Sequence, residues 1–296
     1  MDGETPRWDN ILAMARLAED AGFDSLWVAD HLLMRFLGWE AHPVGIWEGW
    51  SLLAALAATT TRITLGPFVT CTGYRTPALL AKMADTVDEI SGGRLILGLG
   101  AGWHEPEYTA FGVPYDHRVS RFEEAFTIIR SLLREGHVDF TGTYYQARDC
   151  ELRPRGPRPQ GPPLMAGSTG PRMLRITIPH VDAWNAEWTG SAAAIPSLRP
   201  VVDAACREVG RDPATLERTA GVVVDLPRRR ALPGGNVFAD IRVGMGPPMS
   251  GSPDELASQL RAYADEGITH LQVWIAPLTL SGIEAFARVL ELLDRD

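Results

Sequence analysis

Apolar residues recur along this chain in two alternating periods. Trp8, Ile11, Leu12, Ala15 and Ala18 keep helical spacing and stop at Gly22. The DSLWVAD that follows (24–30) is apolar at nearly every position, the pattern of a short strand buried on both faces. The unit then repeats. A helix from about Glu48 to Thr60 leads into ITLGPFVT (63–70), and a helix carrying Leu80, Met83, Val87 and Ile90 ends at Gly92-Gly93 before RLILGLGAG (94–102). Phe122, Phe126, Ile129 and Leu133 share one helical stripe, followed by a Pro/Arg/Gly-rich insertion, RPRGPRPQGPP, from Arg153 to Pro163. Further strands read as PLMAGS (163–168), DAWNAEW (182–188), TAGVVVDL (219–226) and HLQVWIA (270–276). The helix before the last has a legible start, with Ser252 as N-cap, Pro253 at the first position and Glu255 completing a capping box.

Doubly buried strands alternating with amphipathic helices predict an α/β fold, a parallel sheet covered by helices. Seven strands with no long linker between them favour one (β/α)8 TIM barrel, a single domain over residues 1–296, against two smaller domains. Such a barrel wants an eighth strand before the Trp8 helix, where only MDGETPR stands, so its first strand is expected to be missing. Either the true start lies upstream or the barrel has a gap beside its first helix. Pro227 to Gly251 carries no pattern and reads as a lid or a mobile segment.

Composition narrows the class. Hydrophobic content of 45% and charged content of 22% belong to an ordinary globular protein. A net charge of −9 repels phosphate backbones and argues against nucleic acid. Cys71, Cys150 and Cys206 lie far apart, without a C-x-x-C pair, which supports neither a disulfide framework nor a zinc site. With no apolar run of about 20 residues and no leader-like N-terminus, a cytoplasmic location without membrane contact is expected.

In a barrel of this kind the chemistry lies where the strands end. Those ends are Asp30-His31, Phe68-Val69-Thr70, Gly102-Trp103-His104-Glu105, Gly167-Ser168-Thr169-Gly170 and Asn185-Ala186-Glu187-Trp188. Histidine as a side-chain type suits proton donation or abstraction, which nominates His31; alternatively Asp30 caps the next helix and His31 satisfies one hydrogen bond. Gly98, Gly100 and Gly102 alternate along a strand and strip one face of side chains, with Trp103 where a G-x-G-x-x-G fingerprint needs its third glycine. That face either admits a flat group or relieves crowding inside the barrel. The turn AGSTGPRM offers amides, a helix start and Arg172 to an anion, or is a plain tight turn; Arg118 and Arg121 either assist or are exposed charges. A metal hydrolase using Asp30, His31 and His104 lacks an H-x-H pair or a carboxylate-rich set, so no metal is expected.

Taken together, DSLWVADH, LGPFVTCTGYRTPALLAKMADTVDEISGGRLILGLGAGW, HRVSRFEEA, AGSTGPRMLR and DAWN resemble the bacterial luciferase-like monooxygenase family, in order over nearly the whole chain. The resemblance implies a flavin at the barrel mouth, either FMN or the deazaflavin coenzyme F420. It implies a non-proline cis peptide at Phe68-Val69 behind the ring, with Thr70, Gly100, Gly102 and Trp103 as further cofactor contacts. Gly167, Ser168, Thr169, Gly170 and Arg172 would hold the phosphate. His31 would act beside the hydride-carrying carbon, with Asp30 touching the ring edge or orienting His31. Trp103, His104, Trp184, Asn185 and Trp188 would line the substrate pocket, within a wider group of tryptophans that includes Trp47 and Trp50. Trp103 stands where the sugar-phosphate dehydrogenases of this fold carry a glutamate, which argues against that activity. Val119 stands where FMN users often carry a tyrosine, which favours F420. The arginines of RPRGPRPQG and Arg228-Arg229-Arg230 meet an oligoglutamate tail or are solvated. The implied function is F420-dependent hydride transfer to or from a small, partly apolar molecule, in a homodimer. The alternatives are an FMN-dependent two-component monooxygenase served by a flavin reductase, and a non-catalytic oligomeric scaffold.

Overall fold

A computed structural model describes residues 6–34, 44–226 and 246–295. Within them α1 (Trp8–Asp20) precedes β1 (Ser25–Val28), and a short antiparallel pair, β2 (Leu33–Met34) and β3 (Val44–Gly45), precedes α2 (Gly49–Thr59). Next come β4 (Thr64–Pro67), β5 (Thr70–Cys71), α3 (Pro77–Ser91), β6 (Leu97–Gly100), α4 (Glu105–Ala110) and α5 (Arg118–Glu135). An antiparallel hairpin, β7 (His137–Thr141) and β8 (Gln146–Glu151), leads to β9 (Leu164–Gly167), α6 (Pro171–Thr177) and β10 (Ala183–Trp188). The chain continues through α7 (Ile195–Glu208), β11 (Glu217–Asp225), α8 (Pro253–Asp265), β12 (His270–Ala276) and α9 (Leu280–Leu293).

Six of these strands form one parallel sheet in the order β12-β11-β10-β9-β6-β5, and β1 pairs in parallel with β4. The two pieces are continuous. A parallel bridge joins Leu65 to Leu95, and Ile96 N donates to the Leu65 carbonyl at 2.8 Å. All seven sequence-predicted strands are present, the second of them broken into β4 and β5 around Phe68-Val69. Leu65, Leu97, Leu99, Leu164, Val222 and Val224 are fully buried, as are Leu80, Phe122, Ile129 and Leu133 on the covering helices. Removing side chains of this size from water contributes about 1.5–3 kcal/mol each, which is why both faces of these strands are apolar. α3 stops because Gly92 takes a left-handed φ of 69°, and α8 starts with the Ser252–Glu255 capping box.

At the other side of the sheet, β1 and β12 meet through side chains. Ser25 Oγ lies 2.7 Å from His270 Nε2, Trp27 Nε1 donates to Ser25 Oγ at 2.8 Å, and the Trp27 and His270 rings are 5.8 Å apart. Outside this seam Phe23 stacks on Phe286 of α9 at 5.6 Å. Of the MDGETPR slot, residues 1–5 lie outside the described residues. So do residues 227–245 of the patternless stretch, including Arg228, Arg229 and Arg230.

The 153–163 insertion is neither free nor near the strand ends where the chemistry was expected. Arg158 pairs with Asp88 and donates to the Leu95 carbonyl just before β6, while Arg155 donates to the carbonyls of Leu133 and Pro159. These guanidiniums tie helix ends to the start of the sheet. This placement corrects the expectation that both meet a cofactor tail or stand solvated.

A carboxylate performs a similar task at the end of α1. Glu19 Oε1 accepts from the amides of Thr61, Arg62 and Ile63 at 2.6–2.9 Å. Burial pushes this carboxyl up, but the amides outweigh it and hold it at about 2, below its usual 4.5. A depressed carboxyl stabilises the fold fully above its unfolded titration and loses that contribution as pH falls through the folded one. Glu19→Gln should therefore flatten the loss of stability between pH 4.5 and about 2. Denaturant unfolding across that range checks it, and an acid limb identical to wild type would refute the assignment.

Candidate active site

His31 follows β1, and its ring is held by a residue far away in sequence. Its Nδ1 lies 2.8 Å from Oε2 of Glu107, a fully buried side chain in the first turn of α4. The same Oε2 accepts from the Tyr74 hydroxyl at 2.9 Å, and Oε1 accepts from the amides of Leu32 and Leu33 at 2.5 and 2.8 Å. Burial would raise the Glu107 carboxyl. The hydrogen bond and charge of His31, with the two amides, overcome this and place it below the ordinary range. Burial, then Cys71 and Glu107, push the Tyr74 phenol far above its usual value, so it stays a donor. Trp103 and His104 stand edge-on to His31, with ring centroids 5.8 and 6.5 Å away. His104 is buried, and burial pushes its titration down.

Asp30, beside His31, is held by other groups. Arg75 grips both of its oxygens, at 2.8 and 2.9 Å, and the Cys71 amide donates to it at 2.9 Å. Arg75 also meets Glu48, the N-cap of α2, which accepts from the Ser51 amide. Asp30 thus neither orients His31 nor caps the next helix; it locks the end of β1 to β5 and α2. Neighbouring residues of an extended chain face opposite ways, which separates Asp30 from the side His31 takes.

The glycine strip is occupied. A Cβ at Gly98 would strike the Pro67 carbonyl oxygen and lie 2.9 Å from Val69 Cγ1, and one at Gly100 would lie 2.8 Å from Val69 Cγ2. At Gly102, with φ 75°, it would run into the Tyr108 hydroxyl and Cys71 Sγ. These glycines make room for protein on the side a Cβ would take, the crowding-relief alternative, rather than leaving a bare slot there. Gly98 and Gly100 admit the Phe68-Val69 bulge, whose peptide is cis, while Gly102 admits Tyr108 and Cys71. The Phe68 ring turns the other way, 5.8 Å from Trp27 and 5.2 Å from Trp188, which is itself 5.6 Å from Trp274. Thr70 Oγ1, just after the bulge, is buried with no hydrogen-bond partner among the described residues.

At the end of β9, Ser168 Oγ accepts from the Gly170 amide at 3.2 Å, Thr169 is exposed, and Arg172 pairs with Glu123 at 2.6 Å with both side chains half in solvent. An ion pair this exposed is weak and easily exchanged. Arg118 donates to the Gly102 carbonyl at 2.9 Å and Arg121 pairs with Asp116, so both are engaged locally. Trp184 is buried in the hydrophobic core, with Nε1 on the Ser168 carbonyl. Asn185 donates from Nδ2 to Thr219 and Gln272 inside the sheet, both at 2.7 Å. Alternation along β10 thus gives Trp184 to the hydrophobic core and Asn185 to a buried polar layer. Trp50 is core, Trp47 donates to the Pro6 carbonyl, and Trp103 is 56% exposed beside His31. Glu187 sits in a bulge of β10 with φ 58°; solvent reaches it on one side, yet desolvation pushes its carboxyl up. Glu107, Tyr74 and Arg75 were not singled out in the sequence. An acid in the first turn of a Pro-led helix, EPE, was the only local signal for Glu107.

The luciferase-like monooxygenase family model matches residues 1–231. The chain belongs to that family. One relative in sequence, the 5,10-methylenetetrahydromethanopterin reductase of Archaeoglobus fulgidus, is 35% identical over 161 residues, covering 54% of this chain and 44% of the relative. The F420-dependent hydroxymycolic acid dehydrogenase of Mycobacterium tuberculosis is 32% identical over 218 residues, covering 72% and 58%. The chain spans about half the length of the curated relatives it matches. An F420-dependent secondary alcohol dehydrogenase, solved with an F420-acetone adduct, superposes with a TM-score of 0.79 over 96% of this chain and 94% of its own, at 20% identity. That likeness establishes a shared fold.

Proposed function

We propose that this chain is a coenzyme F420-dependent oxidoreductase that passes hydride to or from a small, partly apolar substrate. The observation that carries the reading is the His31–Glu107 pair standing at the same strand ends as the Phe68-Val69 bulge. The F420-dependent activities named for its relatives support it. The residues fit a flat redox group: a kinked strand end, the buried Thr70 hydroxyl beside it with no partner among the described residues, and an amide-rich turn with a loosely paired arginine.

When bound, a deazaflavin supplies the hydride chemistry, and the protein supplies position, electrostatics and water exclusion. In this reading Phe68, Val69 and Thr70 back the ring, and the Ser168–Gly170 turn with Gly167 and Arg172 holds the phosphate. His31 gives or takes a proton at Nε2. Trp103, His104 and Trp188 shield the pocket from water. We further read the seven parallel strands as the last seven of a (β/α)8 barrel forming one domain over 1–296. A cytoplasmic homodimer acting on a small molecule completes the proposal; no described helix is long and apolar enough to cross a membrane.

Titration of the purified protein with each cofactor tests the reading. Saturable binding of F420 with its band near ~420 nm is expected, whereas binding of FMN alone, with bands near ~375 and ~450 nm, would replace it with a two-component monooxygenase. Failure to bind either would favour a scaffold.

A further inference from the structure

Two histidine nitrogens could exchange a proton at this site, and the structure discriminates between them. We infer that Glu107 is a positioning residue that fixes His31 as the Nδ1–H tautomer and leaves Nε2 as the nitrogen available at the mouth. The inference rests on the reading of His31 as the proton-carrying group, but the state of its ring can be measured without cofactor or substrate.

Donor and acceptor capacity at Glu107 decides the tautomer. An ionised carboxylate only accepts hydrogen bonds, with about four lone-pair sites on its two oxygens. Glu107 receives four donors: the Leu32 and Leu33 amides on Oε1, and the Tyr74 hydroxyl and His31 Nδ1 on Oε2. Three of the four remain whatever His31 does. The two amides fix the carboxylate to the backbone directly after His31, so the group that orients the ring also sets the path of the chain carrying it. Tyr74 is held as a donor by its buried position, and full burial leaves the carboxylate no water with which to exchange partners. Nδ1 must then carry a proton in both the neutral and the cationic ring. No described residue hydrogen-bonds Nε2, and the His31 side chain is 21% exposed. A proton arriving at Nε2 creates an imidazolium against a carboxylate already in place, and its departure restores the neutral ring without any rearrangement. Trp103 and His104, packed edge-on, limit the ring's rotation.

Glu107→Gln is the informative variant, because the amide has the carboxylate's shape. Its oxygen can keep the Leu32 and Leu33 amides while its NH2 turns toward Nδ1, making Nδ1 an acceptor and moving the neutral ring's proton to Nε2. Long-range proton–nitrogen spectra of uniformly 15N-labelled protein, recorded above the imidazole titration and assigned by the signals lost in His31→Asn, read the tautomer. Wild type should show protonated Nδ1 and bare Nε2, Tyr74→Phe the same pattern, and Glu107→Gln the reverse. Protonated Nε2 in wild type would overturn the inference even if the glutamine variant does not fold, as would one unchanged tautomer in all three proteins. With F420 and a turned-over alcohol or ketone, Glu107→Gln should lower kcat about 10²-fold while KM and cofactor Kd stay within about three-fold. A reversed tautomer with unchanged kcat would establish the hold of Glu107 on the ring and overturn the reading of His31 as proton carrier.

Discussion

His31→Ala will lower turnover by about 10²–10⁴-fold, the usual worth of a placed general acid or base, while F420 affinity changes by no more than a few fold. The separation is expected because, among the described residues, the ring makes one hydrogen bond, to Glu107 Oε2. Without it, Glu107 keeps the Leu32 and Leu33 amides and the Tyr74 hydroxyl, so the strand end stays in place. The residues proposed to hold the cofactor are separate from it, at Phe68–Thr70 and at the β9–α6 turn. Single-turnover kinetics and cofactor titration on one preparation would measure both quantities. Unaltered turnover would remove His31 from the chemistry, and a large loss of F420 affinity would make it a binding residue instead.

The largest stability effect is expected at a position with no side chain. Gly98→Ala would drive a methyl group into the carbonyl oxygen of Pro67 and toward Val69 Cγ1, and a backbone oxygen cannot rotate away as a side chain can. Overpacking of this kind costs about 3 kcal/mol, which lowers Tm by several degrees in a chain of this size. Gly167→Ala is the control, because its Cβ would meet Asn185 and Glu187 only at 3.8–3.9 Å, an ordinary contact. Thermal unfolding of the two variants separates two accounts of the glycine strip. If the strip were an open slot for the cofactor, Gly98→Ala would melt like wild type and lose only cofactor binding. If the strip receives the Phe68-Val69 bulge, as the structure has it, stability falls first, and cofactor affinity falls with it because Val69 is displaced.

Much of the fold was legible in the residues alone. Each of the seven parallel strands was marked by a short doubly apolar run, α3 by its glycine stop and α8 by its capping box, because burial and capping act on residues within a turn or two of each other. The β7–β8 hairpin was not predicted, since its strands are short and largely exposed and leave little apolar signal. His31, Phe68 and Val69 could be placed at strand ends for the same local reason. Which group His31 meets could not. Asp30 is adjacent in sequence and faces away, whereas Glu107 is 76 positions distant and makes the bond. The spacing of Gly98 and Gly100 likewise determined that one face of β6 would be bare, and only the neighbouring strand decided what fills it. Alternation fixes which way a residue points, but hydrogen-bond partners and steric neighbours are chosen by segments brought together across the sheet, and that choice exists only in the folded chain.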